Sequence, residues 1–221
     1  MRISKYIEHT LLKSTATERE IINLCQEAIE NNFHAVCLNS CYVALAKQLL
    51  NDTDIKISAA VGFPLGAMST EAKVFEAKKA VEDGADEIDM VMNIGFLKSK
   101  NHVLVFKDIR DVKIAIGRTP LKVIIEISEL NKNEVIKICD ICKDAKVDFI
   151  KTSTGYSKAG ATLTAVKIIK KTVRDDVKIK ASGGIKDYDT AIKYIEAGAD
   201  RIGTSSGINI VNMALSSSTL N

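Results

Sequence analysis

The sequence predicts a single-domain (β/α)8 TIM barrel that spans residues 1–221. Short apolar segments alternate with amphipathic segments eight times, the pattern of eight strands and eight helices. Doubly wound sheets alternate too, but they rarely reach eight such units in 221 residues. Apolar residues make up 46% of the chain and there is no Trp, so we expect the aliphatic core of a buried parallel sheet.

The predicted strands are short apolar runs that are bounded by polar or small residues. Pro120 precedes the fifth strand, and a Gly-Phe-Pro-Leu-Gly loop follows the third. In chain order, we predict strands at 9–12, 33–38, 56–61, 87–92 and 121–127, a run that ends at 151, and strands at 177–181 and 201–203.

The predicted helices have one apolar face, and the first has a clear start signal. Thr17 is followed three residues later by Glu20, the spacing of a capping box. In chain order, we predict helices at 17–30, 41–50, 70–83, 98–116, 131–145, 162–174 and 187–197, and a short helix after Gly207.

A weak internal repeat relates strands four, six and eight. Segments 82–89 and 196–203 read Glu-Asp-Gly-Ala-Asp-Glu-Ile-Asp and Glu-Ala-Gly-Ala-Asp-Arg-Ile-Gly, and segment 144–151 matches more weakly. Side chains in one layer of a barrel come from alternate strands. The repeat therefore predicts that Asp89, Lys151 and Gly203 lie in one layer. A looser alignment of strand two adds Cys37 to this layer.

Composition and charge exclude several classes of protein. A net charge of +3 is too small for a nucleic-acid surface. The first residues contain no apolar leader and no run approaches 18 apolar residues, so we expect a cytoplasmic protein with no membrane contact.

Neither a metal nor a nicotinamide cofactor is expected. Cys139 and Cys142 form a CxxC inside a predicted helix, where such cysteines are usually packing residues. The histidines (His9, His34 and His102) do not form a ligand set, and no GxGxxG motif is present.

Four predicted strand ends carry charge, which is unusual in a buried sheet: Asp89, Glu126, Lys151 and Lys180. A lysine at the end of a buried strand is costly unless it is paired, neutralised or used. The C-terminal mouth is where TIM barrels carry out their chemistry, so we expect these four side chains to converge there.

Three small-residue turns follow the last three strands. Thr154 and Gly155 lie after strand six, Ser182-Gly-Gly184 after strand seven, and Gly203-Thr-Ser-Ser-Gly207 after strand eight. Such loops let backbone N–H groups approach an anion, and TIM barrels commonly bind phosphate after strands seven and eight. We expect backbone N–H groups and the hydroxyls of Ser205 and Ser206 to hold a phosphate with little help from side-chain cations.

Together these motifs resemble the deoxyribose-phosphate aldolase family. The resemblance rests on Ala-Asp-Glu-Ile-Asp at 85–89, Val-Ile-Ile-Glu at 123–126, Phe-Ile-Lys-Thr-Ser-Thr-Gly at 149–155, Lys-Ala-Ser-Gly-Gly-Ile at 180–185 and Gly-Thr-Ser-Ser at 203–206. It extends over nearly the whole chain, from residue 8 to 206.

The resemblance implies a metal-free class I aldolase that interconverts 2-deoxyribose 5-phosphate with acetaldehyde and glyceraldehyde 3-phosphate. Lys151 would form the Schiff base, while Lys180 and Asp89 would take part in proton transfer. The residues around the phosphate would be Gly155, Gly183, Gly184, Gly203, Ser205 and Ser206. The implied partners are small phosphorylated sugars and aldehydes, and a homodimer is the assembly to test.

Three positions depart from the family pattern. Glu8 stands where the first strand usually carries Asp, and Tyr156 stands where some members have a lysine. No aromatic residue follows Tyr194, whereas some members end in a tyrosine. The last two departures bear on phosphate affinity and turnover and leave the reaction class unchanged.

The expected nucleophile needs its neutral form. A lysine with an ordinary pKa of about 10.4 is neutral in only roughly one molecule in 2500 at pH 7. Burial and a neighbouring cation both favour the neutral amine. We expect Lys180 to act as that cation on Lys151, provided that Lys180 keeps its own proton by pairing with Glu8 or Asp89.

Two other functions stay open on the residues alone. A class I lyase for a keto-acid would need a cation for the carboxylate, but none of the arginines from residue 110 onward falls at a strand end that faces the mouth. A non-catalytic sugar-phosphate-binding protein would have no need to keep Lys151, Lys180 and Asp89 together.

Overall fold

Eight parallel strands form one closed barrel in the computed structural model, which describes residues 2–218. Each strand pairs with the next in sequence, and β8 closes the barrel on β1. This confirms the predicted fold class. The strands are β1 Ile7–Leu11, β2 Ala35–Asn39, β3 Lys56–Val61, β4 Glu87–Val91, β5 Leu121–Ile124, β6 Phe149–Lys151, β7 Lys178–Ser182 and β8 Arg201–Thr204.

The helices pack their apolar faces on the outside of the barrel, where one aliphatic core joins them to the strands. None of the helices in residues 2–218 is long and apolar enough to cross a membrane. The helices are α1 Glu18–Asn31, α2 Val43–Leu50, α3 Thr70–Glu82, α4 Ile94–Lys98, α5 His102–Ala115, α6 Lys132–Asp144, α7 Leu163–Val173, α8 Tyr188–Glu196 and α9 Gly207–Ser218.

The helix predicted at 98–116 corresponds to α5, but it begins four residues later than predicted, and a separate short helix, α4, precedes it. Lys100 adopts a left-handed φ of 57°, which ends α4. Asn101 then starts α5, since its side chain accepts a hydrogen bond from the backbone N–H of Leu104 at 3.1 Å. The capping box of Thr17 and Glu20 is confirmed at the start of α1.

Several other boundaries also differ from the sequence prediction. β1 begins two residues earlier than predicted, at Ile7, and therefore includes Glu8. β5 ends at Ile124 rather than 127, because Glu126 adopts a left-handed φ of 52°. The final helix, predicted to be short, runs over 12 residues. Residues 219–221 of the tail, which was expected to lack an aromatic group, lie outside the described residues.

The strand pairing confirms the predicted layer of Asp89 and Lys151. Asp89 pairs with Lys122, and Lys122 pairs with Phe149, two residues before Lys151. The same two-residue offset recurs at each of the four steps between alternate strands. The offsets add to eight residues around the barrel, which is the shear of a TIM barrel. This places four side-chain positions in one layer: Cys37, Asp89, Lys151 and Gly203.

The odd-numbered strands form the next layer toward the N-terminal end of the barrel. Applying the same offset to their pairing gives a layer that consists entirely of polar side chains. Its members, all buried, are Glu8, Ser58, Lys122 and Lys180. The centre of the barrel is therefore ionic, while the apolar core lies outside it.

Candidate active site

Asp89 is the centre of a buried cluster of charged side chains. Its Oδ2 accepts hydrogen bonds from Lys151 Nζ at 2.8 Å and Lys180 Nζ at 2.7 Å. Its Oδ1 accepts from Ser58 Oγ at 2.7 Å and Lys122 Nζ at 2.9 Å. Both carboxylate oxygens are thus held by residues from four different strands, which fixes the Asp89 side chain.

Two more carboxylates complete the cluster. Glu8 Oε2 pairs with Lys180 and lies 3.4 Å from Lys122 Nζ. Glu87 Oε2 lies 2.5 Å from Lys122 Nζ, and its Oε1 lies 3.8 Å from Nε2 of the partly exposed His34. Three carboxylates thus face three lysines. This balance lets the barrel hold charges that would be very costly if they were buried unpaired.

The cluster fixes the protonation of Asp89 and Lys180. Burial alone would raise the pKa of Asp89, but the ammonium groups of Lys122, Lys151 and Lys180 outweigh it and hold that pKa well below its usual range. Burial would lower the pKa of Lys180, but the negative charges of Asp89 and Glu8 raise it well above its usual value. At neutral pH Asp89 is therefore a carboxylate and Lys180 an ammonium.

A cavity of about 380 Å³ opens at the C-terminal mouth of the barrel. Among the three lysines of the cluster, Lys151 is the one that lines this cavity, whereas Lys122 and Lys180 lie behind it. Lys151 is nevertheless only 2% exposed. Its amine is thus reachable from the mouth and otherwise surrounded by protein.

Most residues predicted to surround a phosphate line the same cavity. They are Thr154, Gly155, Gly183, Gly184, Gly203 and Ser205. Ser206 is not among the lining residues, and its backbone N–H donates to Thr204 Oγ1 at 2.9 Å. Two exposed lysines that the sequence did not single out, Lys13 and Lys186, also line the cavity.

Two of these glycines are required by close contacts. A Cβ on Gly203 would lie 2.8 Å from Lys180 Cε, so a side chain there would displace the lysine. A Cβ on Gly183 would lie 2.8 Å from the Cα of Gly160, in the loop after β6. Gly183 also has a φ of 89°, which side chains rarely adopt.

Of the four charged strand ends expected to converge, Asp89, Lys151 and Lys180 do so and Glu126 does not. Glu126 lies beyond the end of β5 and bonds to Thr154 instead. The backbone N–H of Thr154 donates to Glu126 Oε2 at 3.2 Å, and the Thr154 hydroxyl donates to the same oxygen. Glu126 therefore holds the loop after β6.

Three members of the cluster were not predicted from the sequence: Lys122, Glu87 and Ser58. A signal was present, because Lys122 interrupts the apolar run 121–125 and Glu87 precedes Asp89 by two residues, on the same side of β4. Period-two alternation of charge within buried strands would have placed Lys122 and Glu87 inside the barrel, whereas Ser58 carried no such signal.

Apart from Cys37 and His34, the cysteines and histidines take no part in this cluster. Cys37 lies 3.7 Å from Asp89 Oδ2. Cys139 and Cys142 are buried packing residues, and burial raises the pKa of Cys139 to about 12. Within the described part of the chain, no group of three His, Cys, Asp or Glu side chains is arranged to hold a metal ion.

Known proteins match the chain over nearly its full length. The sequence profile of DeoC/LacD family aldolases matches residues 3–213. A deoxyribose-phosphate aldolase from Finegoldia magna is 53% identical over 211 residues, which cover 96% of this chain and 99% of that protein.

Solved structures show the same architecture. A putative deoxyribose-phosphate aldolase from Coccidioides immitis superimposes with a TM-score of 0.95 at 40% identity, covering 97% of this chain and 86% of that one. A tetrameric deoxyribose phosphate aldolase from Aeropyrum pernix gives a TM-score of 0.88 at 30% identity, covering 97% and 91%.

Proposed function

Because the chain belongs to the DeoC/LacD family of aldolases, we propose that it reversibly cleaves 2-deoxy-D-ribose 5-phosphate and that Lys151 is its Schiff-base lysine. The products are acetaldehyde and D-glyceraldehyde 3-phosphate. The assignment of Lys151 as the nucleophile rests on its position. It is the member of the lysine cluster that lines the cavity, so its amine is the one a substrate aldehyde can reach.

The reaction follows from imine chemistry. The Lys151 amine adds to C1 of the open-chain sugar, and loss of water leaves an iminium. The C2–C3 bond then breaks, its electron pair moves toward the iminium nitrogen to form an enamine, and the C3 hydroxyl loses its proton as C3 becomes the aldehyde of glyceraldehyde 3-phosphate. C2 regains a proton, and water hydrolyses the imine to acetaldehyde and the free lysine.

Asp89 and Lys180 are the proposed proton-transfer pair. Asp89 accepts a hydrogen bond from the reacting Lys151, and Lys180 donates a hydrogen bond to the same oxygen of Asp89. The Lys180 ammonium disfavours a second ammonium on Lys151, and Asp89 balances the charge of the iminium. Water that enters the cavity would carry protons between this pair and the substrate carbons.

The phosphate is proposed to lie at the loops after β6, β7 and β8. The residues proposed to surround it are Thr154, Gly155, Gly183, Gly184, Gly203, Ser205 and Ser206. Lys186, in the loop after β7, adds a cation to these backbone donors, and Lys13 stands at the same cavity. The two lysines supply the positive charge that the sequence analysis did not expect at this site.

The wider assignments are proposals of the same kind. We propose that the whole chain, 1–221, is one catalytic domain that acts in the cytoplasm in the breakdown of deoxyribonucleotides. It would act on small phosphorylated sugars and aldehydes, without a nucleic acid or a membrane. The tetrameric Aeropyrum pernix relative makes an oligomer the expected assembly, and a homodimer is the smallest form to look for.

Borohydride trapping tests the proposal directly. The protein is incubated with acetaldehyde, reduced with borohydride and digested, and the peptides are mapped by mass. We expect one ethyl group on Lys151 and none on Lys180 or Lys122. A label on either of the other two lysines, or no label in a protein that has folded, would contradict the assignment.

A further inference from the structure

Two aromatic rings meet above the mouth of the barrel. Phe63 lies in the loop after β3 and Tyr156 in the loop after β6. Their ring centroids are 5.3 Å apart with an interplanar angle of 87°, an edge-to-face contact. Because β4 and β5 separate these two strands, the contact joins loops from different sides of the mouth.

The cavity borders this contact, since Tyr156 is one of its lining residues. Its lining residues come from β1, β6, β7 and β8 and the loops that follow them. Phe63 packs against a small apolar cluster that is separate from the main core: Leu12, Cys37 and Ala60. Leu12 also lines the cavity. Cys37 Sγ lies 3.7 Å from Asp89 Oδ2, the oxygen that also binds Lys151 Nζ, so this apolar cluster lies close to the reactive lysine.

Hydrogen bonds fix the position of Tyr156. Its backbone N–H donates to Thr154 Oγ1 at 3.0 Å, and Thr154 is held in turn by Glu126. The next residue, Ser157, donates to Glu129 at 2.7 Å. The backbone that carries Tyr156 is therefore anchored to the chain after β5. Tyr156 is 54% exposed and lines the cavity beside Phe63.

We propose that Tyr156 is a positioning residue that holds Phe63 as the wall of the aldehyde-donor site and so sets the size of the donor. The inference rests on the proposed function. With the phosphate at the loops after β7 and β8, the two-carbon fragment on Lys151 points away from those loops, toward Leu12, Cys37 and Phe63. A donor with an additional methyl group needs the space that Phe63 occupies while Tyr156 supports it.

The test measures the synthesis direction with two donors and one acceptor. Acetaldehyde and propanal are each added to glyceraldehyde 3-phosphate, and the ratio of their kcat/KM values is compared between variants. Because the acceptor is the same in both reactions, any effect of Tyr156 on phosphate binding cancels in the ratio. One methylene group in an apolar pocket usually changes such a ratio about 10- to 200-fold.

Tyr156→Ala and Phe63→Leu are each expected to shift the ratio at least about tenfold toward propanal. The double variant should shift it no further than the larger single change, because Tyr156 acts through Phe63. Tyr156→Phe keeps the ring and should leave the ratio unchanged, as should Phe75→Ala on the exposed face of α3.

Two results would overturn the inference while leaving the proposed function intact. The first is an active Tyr156→Ala enzyme with the donor ratio of the parent chain. The second is a double variant whose shift equals the product of the two single shifts, since Tyr156 would then act independently of Phe63. A parent chain that makes no deoxyribose 5-phosphate from acetaldehyde would instead contradict the proposed function itself.

Discussion

Lys151 and Lys180 share a single oxygen atom, Oδ2 of Asp89. The two Nζ atoms lie 2.8 Å and 2.7 Å from it. Lys180 has a second carboxylate partner, Glu8, whereas the hydrogen bond to Asp89 is the one ion pair that Lys151 makes within the described residues. Lys180 is therefore held between two carboxylates, whereas Lys151 has one carboxylate partner and lines the cavity.

Replacing Lys180 with leucine should move the pH profile of the reaction. Without its cation, less repulsion opposes an ammonium on Lys151, so a smaller fraction of Lys151 is neutral at a given pH. We expect slower imine formation at pH 7 and an acidic limb of kcat/KM that moves to higher pH. Rapid-mixing kinetics of imine formation across pH 5–10 would measure both effects.

Lys178→Leu is the matched control, because Lys178 is an exposed lysine on the same strand two residues earlier. Its removal should leave the acidic limb in place. An acidic limb that stays fixed in Lys180→Leu, or moves down, would show that Lys180 does not act on Lys151 through its charge.

The residues that form the cluster show how far sequence could predict the site. Asp89, Lys151 and Lys180 were predictable because each stands at the end of an apolar strand, and strand ends meet at the mouth of a barrel. Lys122 and Glu87 were missed because they stand at the start of their strands and not at the end, where a charged side chain is not expected to be buried. Only the pairing register shows that they neutralise each other.

The loops were less predictable than the strands. The boundary between α4 and α5 depends on the left-handed backbone of Lys100, a conformation that a lysine does not signal in sequence. Similarly, the contact of Phe63 with Tyr156 joins loops that are 93 residues apart in the chain. Such contacts follow from the closure of the barrel and not from any local pattern.

The phosphate site gives a second prediction, which distinguishes neighbouring serines. Ser205 lines the cavity, whereas Ser206 does not. An added carboxylate at Ser205 should repel the substrate phosphate, so Ser205→Asp should raise KM for deoxyribose 5-phosphate by about tenfold or more, roughly 1.4 kcal/mol of binding. Ser206→Asp should have a clearly smaller effect, and kcat should change less than KM in both variants.

Lys186 offers a separate test of the same site. If its ammonium pairs with the phosphate, Lys186→Met should raise KM for deoxyribose 5-phosphate several-fold while the rate with unphosphorylated deoxyribose stays the same. Steady-state kinetics with both sugars measure the difference. Equal losses on the two substrates would place the role of Lys186 elsewhere.

Glu87 should make the stability of the barrel depend on pH in the acidic range. Burial would raise its pKa, but His34 and Lys122 outweigh this and lower it from 4.5 to about 2. A lowered pKa means that the stabilisation is complete above pH 4.5 and is lost as the pH falls from 4.5 to about 2. The shift corresponds to about 3 kcal/mol.

Urea unfolding at pH 7, 5, 4 and 3 would test this. Glu87→Gln should lower the free energy of unfolding at pH 7 by about 3 kcal/mol and flatten its decline below pH 4.5, compared with the parent chain. Glu30→Gln, at an exposed carboxylate in α1, is the control and should keep the parent slope. If the free energy of unfolding of Glu87→Gln declines below pH 4.5 as steeply as that of the parent chain, the contact with Lys122 does not keep Glu87 ionised.

The last prediction concerns a second buried ion pair, outside the barrel between α3 and α5. Lys73 Nζ lies 2.7 Å from Asp108 Oδ2, and both side chains are almost completely buried. Asp108 also accepts hydrogen bonds from Thr70 Oγ1 at 3.0 Å and from the backbone N–H of Asn93 at 3.2 Å. Asp108 thus ties the first turn of α3 to the chain after β4.

Removing one partner leaves a buried charge without compensation, which usually costs about 3–5 kcal/mol. Lys73→Met and Asp108→Asn should each lower the free energy of unfolding by roughly that amount in urea titrations at pH 7. The double variant Lys73→Met with Asp108→Asn should lose much less than the sum, because it leaves no lone buried charge. Additive losses would show that the two side chains are not coupled. Lys107→Met removes an exposed ion pair with Asp111 on α5 and should cost less than about 1 kcal/mol, which sets the scale for a surface pair.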